Sequence, residues 1–81
     1  MTIRVLAFAS LRDALGMGEV TLTLPEAATG TDLLDALEAD HPRFGPFRRT
    51  LRLAVNGRYT RGDALLADGD EVALITPTSG G

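Results

Sequence analysis

The chain lacks several residue types, and each absence narrows the chemistry that it can perform. Its 81 residues contain no cysteine, which excludes disulfides, thiolate metal sites and a cysteine nucleophile. Lysine is also absent, so all eight positive charges are arginines. A protein of this composition cannot be linked to further copies of itself through lysine side chains.

Long apolar runs and a strongly basic charge balance are missing too. No run approaches the ~18 residues of a membrane-spanning helix, and the first residues lack a signal-peptide pattern. The net charge of −3 does not favour nucleic acid, which selects basic surfaces. We therefore expect one small, soluble, cytoplasmic domain that binds neither nucleic acid nor membranes.

Motifs for catalysis are sparse. The single histidine, His41, is better explained as a surface residue at a helix end than as a base or a ligand. Gly16-Met17-Gly18 starts like a dinucleotide fingerprint but lacks its third glycine. Asp68, Asp70 and Glu71 fit a turn before a strand better than a cation site. We expect no metal site, no bound cofactor and no intrinsic active site, which leaves enzyme status open.

Four arginines lie close together in the middle of the chain, namely Arg43, Arg48, Arg49 and Arg52. A solvated face explains them more simply than an anion site does, and a docking surface stays open as an alternative.

Alternating polar and apolar residues predict strands at 2–9 and 18–24, and the apolar run at 71–75 predicts a buried strand. Two further strands are predicted at 51–55 and 58–60. Asn56-Gly57 is a strong hairpin signal between the third and fourth strands. The loop at 61–70 is expected to be anchored by Leu65 and Leu66.

One substantial helix is predicted over 29–40. Thr29 and Asp32 resemble a capping box, and three leucines (Leu33, Leu34 and Leu37) form its core stripe. A shorter helical turn over 10–16 would have Ser10 as its N-cap and Gly16 as its left-handed end. In the 42–50 loop, a helical turn would bring Phe44 and Phe47 under the sheet.

This order of elements predicts an α+β fold of the β-grasp (ubiquitin-like) type. A mixed sheet of about five strands would pack on one main helix, with the first and last strands adjacent and parallel at the centre. We place the domain at 1–75 and a flexible C-terminal Gly-Gly tail at 76–81.

The tail is the stretch with the clearest functional meaning. Fully extended, it would reach ~20 Å beyond the last strand, and Gly80 and Gly81 fit spaces too narrow for other residues. Its carboxylate, with a reference pKa of about 3.5, would be ionised at neutral pH. Such a group can be activated only in another protein's active site. Ordinary fraying of a chain end is the alternative.

The chain resembles the ubiquitin-like sulfur carriers of the MoaD/ThiS family, most of all the small subunit of molybdopterin synthase (the MoaD type). The resemblance lies in 5–13 (VLAFASLRD), 32–37 (DLLDAL), 54–57 (AVNG), 68–73 (DGDEVA) and the final Gly80-Gly81. One proline before the glycines, where this family often has two, is the departure that leaves the partner open.

The resemblance implies a mechanism for the tail. An E1-like adenylyltransferase (MoeB type) would use ATP to adenylate Gly81, and a sulfur donor protein would then convert it to a thiocarboxylate. The tail would enter the large subunit of molybdopterin synthase (MoaE type) and donate sulfur to precursor Z in molybdenum cofactor biosynthesis. Gly80 would share in this role.

The resemblance also implies docking through the exposed sheet face near the tail. Candidate docking residues are Phe8, Leu74, Ile75, Pro77 and Ser79, although the first three would serve equally well as ordinary core. Two other functions stay open. One is sulfur carriage for thiamine or another pathway, or protein tagging, and the other is a non-catalytic β-grasp interaction module.

Overall fold

A computed structural model describes residues 1–76 of the chain. The elements are β1 (Thr2–Ala7), α1 (Ala9–Leu15), β2 (Glu19–Thr23), α2 (Gly30–Asp40), a 3₁₀ segment (Pro42–Phe47), β3 (Arg52–Val55), β4 (Arg58–Thr60) and β5 (Glu71–Ile75). The predicted tail residues 77–81 lie outside this description, so the boundary between domain and tail stays a prediction.

The five strands form one mixed sheet in the order β2-β1-β5-β3-β4. The first and last strands of the chain, β1 and β5, are parallel neighbours at its centre, with Val5 opposite Val72. Every other pairing is antiparallel. The predicted α+β, β-grasp architecture is therefore confirmed, and α1 and the 3₁₀ segment accompany the main helix.

One face of the sheet packs on the helices. On the two central strands every second side chain is fully or almost fully buried, as at Val5 and Leu74. These side chains share a core with Leu33 and Leu37 of α2 and with Phe44 of the 3₁₀ segment, while Phe47 is only partly buried. Each fully buried side chain of this size contributes roughly 1.5–3 kcal/mol.

The start of α2 is fixed by hydrogen bonds from two directions. Thr29 Oγ1 accepts from the Asp32 N–H at 3.2 Å, and Asp32 Oδ2 accepts from the Thr29 N–H at 2.9 Å. The predicted capping box is thus confirmed. The Gly62 carbonyl accepts from the Thr31 N–H at 2.8 Å, which ties the loop after β4 to the helix.

The short first helix differs from its prediction. The N-cap of α1 is Phe8, not Ser10. Strand β1 ends at Ala7, before the predicted end at residue 9, and the Phe8 carbonyl then accepts from the Leu11 N–H at 3.0 Å. Ser10 consequently lies inside the helix. The left-handed end at Gly16, with φ of 80°, is confirmed.

The long loop before β5 has one apolar anchor where two were predicted. Leu66 is buried, and its N–H donates to the Ala28 carbonyl at 2.9 Å. Leu65 is 70% exposed, so its predicted role as an anchor is wrong. Neighbouring residues in extended chain point to opposite sides, which explains why only one of the two reaches the core.

The hairpin between β3 and β4 closes on Asn56 and Gly57. Their φ values of 50° and 85° correspond to a type I′ turn, which confirms the sequence prediction. Asn56 also bonds outside the hairpin: its Nδ2 donates to Asp70 Oδ1 at 2.8 Å, and its Oδ1 accepts from the Glu71 N–H at 3.0 Å. This side chain therefore joins the β3–β4 turn to the start of β5.

Within residues 1–76, no helix combines the length and the apolar character that crossing a bilayer requires. The predicted cytoplasmic location stays a prediction.

Candidate functional site

The central strand β5 delivers the chain to one end of the sheet. Ile75, its last residue, lies beside Arg52 at the start of β3, and Leu74 lies beside Ala7 at the end of β1. We call this end of the sheet, where β5 finishes, the tail end. The opposite end, where Asn56 meets Asp70, is called the turn end.

The face of the sheet opposite the helices carries an apolar row. The strand register places Leu6, Ala73, Ala54 and Tyr59 side by side across four strands. Ile75 follows two residues after Ala73 on the same face, since side chains alternate along a strand. Leu6, Ala73 and Ile75 are half-buried and Tyr59 is 67% exposed. We call these five residues the outer row.

Two further apolar side chains are exposed at the tail end. Phe8 directly follows β1, and Met17 precedes β2. The Ala7 N–H donates to the Gly18 carbonyl at 2.9 Å, which holds the two segments side by side. Phe8 is 55% and Met17 48% exposed, so large apolar side chains meet solvent close to where the tail begins. Exposed apolar groups clustered in this way are typical of docking surfaces.

The predicted docking residues separate into three groups. Phe8 is exposed and Ile75 half-buried, so both are available at the surface. Leu74 is fully buried on the inner side of β5. It is therefore a core residue, which was the alternative to its predicted docking role. Pro77 and Ser79 lie outside the described residues, as do the predicted reactive residues Gly80 and Gly81.

Sequence reasoning missed Leu6, Ala73, Tyr59 and Met17. The first two carried a usable signal, because they are apolar residues at positions of the strand pattern opposite to the core positions. Tyr59 and Met17 carried none, since their proximity to the other docking candidates depends on the pairing of strands distant in sequence.

Acidic side chains near the start of β5 form hydrogen bonds and an ion pair within the domain. Asp68 Oδ1 accepts from the Thr2 N–H at 2.6 Å, Asp70 Oδ2 accepts from the Ala67 N–H at 2.8 Å, and Glu71 pairs with Arg4. Their interpretation as a turn before a strand is therefore confirmed. Across residues 1–76, no cluster of acidic and histidine side chains has the arrangement that binds a metal ion.

One member of the predicted basic patch is neutralised. Arg48 Nη1 lies 2.8 Å from Asp35 Oδ1 and 2.9 Å from Glu38 Oε1. The hydrogen bond to Glu38 is the main reason that the pKa of Arg48 is raised above its ordinary value, and burial opposes it. Arg48 therefore fastens the segment after the 3₁₀ turn to α2. Arg43, Arg49 and Arg52 are exposed.

A five-stranded mixed sheet, one main helix and a central last strand leading into a Gly-Gly sequence define a ubiquitin-like β-grasp protein. The chain belongs to the ThiS family, whose model matches residues 5–81.

Similar proteins match along almost the whole chain. The molybdopterin synthase sulfur carrier subunit of Chlamydomonas reinhardtii is 42% identical, with full coverage of both chains. The subunit of that name from Mycobacterium tuberculosis is 34% identical and covers 98% of this chain and 96% of its own. Among solved structures, small archaeal modifier protein 1 of Haloferax volcanii is 28% identical, with a TM-score of 0.85 and coverage of 95% and 98%.

Proposed function

We propose that this chain is the sulfur carrier subunit of a molybdopterin synthase and acts in molybdenum cofactor biosynthesis. The observation that carries the proposal is the full-length match to relatives that bear this name, at 42% identity in one case. The geometry supports it, because the central strand β5 leads directly to Thr76 and the Gly-Gly sequence at an end of the sheet with exposed apolar residues.

The reactive group of this proposal is the carboxylate of Gly81. A carboxylate oxygen is a poor leaving group, so an adenylyltransferase of the MoeB type first lets it attack the α-phosphorus of ATP, which forms the acyl-adenylate and releases pyrophosphate. A persulfide sulfur on a donor protein then attacks the carbonyl carbon and AMP departs. A thiol releases the thiocarboxylate by disulfide exchange. The chain itself binds no cofactor in this scheme, and ATP belongs to the activating enzyme.

The body of the domain has a positioning role. Gly80 and Gly81 let the tail enter a narrow active site, and the large synthase subunit (MoaE type) holds the thiocarboxylate beside precursor Z. Fixing the two reactants in place replaces an encounter in solution with an effectively intramolecular step. The outer row and Phe8 supply an apolar surface for docking, and Pro77 and Ser79, which precede the glycines in the sequence, are proposed to contact the entry path of the partner. We place this chemistry in the cytoplasm, where ATP and reduced thiols are available.

A transfer assay tests this function. The thiocarboxylated chain is mixed with a molybdopterin synthase large subunit and precursor Z, and the dithiolene-containing pterin is measured. The proposal predicts product that depends on the thiocarboxylate, and none from the carboxylate form. If sulfur reached only a thiazole synthase, the protein would be a carrier for thiamine instead.

Protein tagging is the second candidate, favoured by the similarity to a protein named small archaeal modifier protein 1. A tag would form an amide between Gly81 and amino groups of other proteins. Incubating cell extract with ATP and an epitope-labelled form of this chain distinguishes sulfur carriage from protein tagging. Conjugates joined through Gly81, without pterin product in the transfer assay, would favour tagging.

A further inference from the structure

Positive charge is concentrated in one part of this acidic chain. Residues 41–62 contain six of the eight arginines and none of the eleven acidic residues. The other two arginines, Arg4 and Arg12, lie outside this segment, as do all eleven acidic residues. A segment with this charge contrast creates a local positive field on a protein whose net charge is −3.

The fold brings much of this segment to one edge of the sheet. The hairpin of β3 and β4 forms that edge, with Arg52 at its tail end beside Ile75. Within residues 1–76, the ion pairs of arginine involve Arg4 and Arg48 alone. Arg52 is therefore an exposed cation that the described part of the chain leaves without a carboxylate partner.

A cavity of about 290 Å³ lies next to Arg52. Three leucines (Leu34, Leu51 and Leu53) supply its apolar lining, and the other lining residues are Arg48, Arg52, Tyr59, Thr60 and Gly62. The lining therefore combines apolar side chains with Arg52, which has no carboxylate partner within residues 1–76, and with the exposed Tyr59. We call it the Arg52 pocket.

We propose that the Arg52 pocket docks an acidic segment of the protein whose active site receives the tail, with an apolar side chain of that segment in the cavity. The inference rests on the proposed function, because it assumes such a partner. Arg52 lies beside Ile75, the last residue of β5, so a protein that holds the tail would be within reach of the pocket. Tyrosine and arginine around an apolar recess are the residue types that most often dominate binding energy at interfaces.

The charges favour a protein segment over nucleic acid. A polyanion long enough to pass beyond the pocket would meet the acidic residues, all of which lie outside the 41–62 segment. A short acidic segment avoids that repulsion and gains the attraction of Arg52. Complementary charge of this kind raises the association rate and selects the partner.

Amide chemical-shift mapping on the full chain tests the proposal at low ionic strength. The probes are a peptide of glutamates around a central phenylalanine, the matching lysine peptide, and a single-stranded oligonucleotide. We expect the glutamate peptide alone to shift the amides of Arg52, Tyr59 and Thr60 and to leave β2 unchanged. Tighter binding of the oligonucleotide, or shifts spread evenly over the chain, would overturn the proposal.

Charge reversal gives the matched comparison. Arg52→Glu is expected to weaken glutamate-peptide binding about tenfold, whereas Arg43→Glu, with the same change of charge at an exposed site outside the pocket, should weaken it less than about threefold. Equal losses would mean that net charge alone attracts the peptide. The same spectra show whether each variant is folded.

Sulfur loading of the wild-type chain keeps this inference separate from the proposed function. If the wild type acquires a thiocarboxylate but the peptide neither binds at the pocket nor distinguishes the two variants, the docking proposal alone fails. If the peptide maps to the pocket and the wild type is never loaded, the carrier function fails and the pocket remains as a docking site for another acidic partner.

Discussion

The two ends of the sheet are built differently. At the turn end, side-chain oxygens accept from the backbone: Asp68 from Thr2, Asp70 from Ala67, and Asn56 from Glu71. At the tail end, the exposed groups are apolar side chains such as Phe8 and the cation Arg52. At the turn end the polar side chains are hydrogen-bonded within the protein, whereas at the tail end exposed side chains are available for a second protein to bind.

This contrast indicates where stability and function are located. The turn end closes the hairpin and aligns β5 with its neighbours, so changes there should alter the free energy of unfolding. The surface of the tail end contributes little to the core, so changes there should alter docking and leave folding intact.

The largest effect is expected for Leu74→Ala, on the inner side of β5. Its side chain is fully buried, so truncation removes apolar contacts and leaves a cavity, costing about 3 kcal/mol of unfolding free energy. Denaturant titration measures this. Leu65→Ala is the control, because the same truncation at a side chain 70% exposed should change stability by less than about 0.5 kcal/mol. Equal losses would contradict the assignment of Leu74 to the core.

Asn56→Ala should cost about 1–2 kcal/mol, because it removes two hydrogen bonds and places an ordinary residue at a φ of 50°. Asn56→Gly tolerates that backbone angle and loses only the hydrogen bonds, so its cost should be smaller. Thermal unfolding of both variants separates the two contributions. Sulfur loading of the folded protein should be unchanged. A loading defect in folded Asn56→Ala would contradict the assignment of stability to the turn end and of docking to the tail end.

Phe8→Ser should weaken docking to the activating enzyme about tenfold, or about 1.4 kcal/mol, because an exposed aromatic side chain is lost. The readout is the KM for the carrier in the adenylation reaction. Leu65→Ser removes an exposed apolar side chain from the loop before β5, where Leu65 pairs with Thr29, and should leave KM unchanged. A similar rise in both would show that apolar surface in general, not the tail end, mediates docking.

The smallest effect is expected for Arg48→Met. The methionine keeps most of the apolar stem but removes the contacts to Asp35 and Glu38, which are partly exposed to solvent. Such pairs contribute about 0.2–1 kcal/mol. The loss should shrink at high salt in denaturant titrations, since screening already weakens the pairs in the wild type. A salt-independent loss would mean that packing of the side chain dominates.

Much of the fold was readable from local sequence. The capping box at Thr29, the hairpin at Asn56-Gly57 and the apolar run of β5 each predict their own element, because the physical cause lies within a few residues. The N-cap of α1 was not readable in this way: Ser10 is the better capping residue by type, but pairing of β1 with β5 and the early end of β1 decide where the helix begins.

The candidate site also contains residues that the sequence predicted and residues that only the structure brings together. Phe8, Leu74 and Ile75 were predicted as docking residues from the family resemblance, with ordinary core as the alternative, and Leu74 is a core residue. The outer row and the Arg52 pocket assemble from strands that are far apart in sequence. No local sequence pattern predicts which residues of β3 and β4 lie near Ile75. These neighbours follow from the register of strand pairing, which only the structure gives.

The proposed carrier function requires that the domain present the carboxylate of Gly81 to the active sites of other proteins. Intact-mass measurement of the wild type and of a variant lacking Gly81, after incubation with the activating enzyme, ATP and a sulfur donor, tests this requirement. We predict that the wild type gains the mass difference of one oxygen exchanged for sulfur, while the shortened chain, equally stable, gains nothing. Equal loading of both proteins, or no loading of the wild type, would contradict the claim.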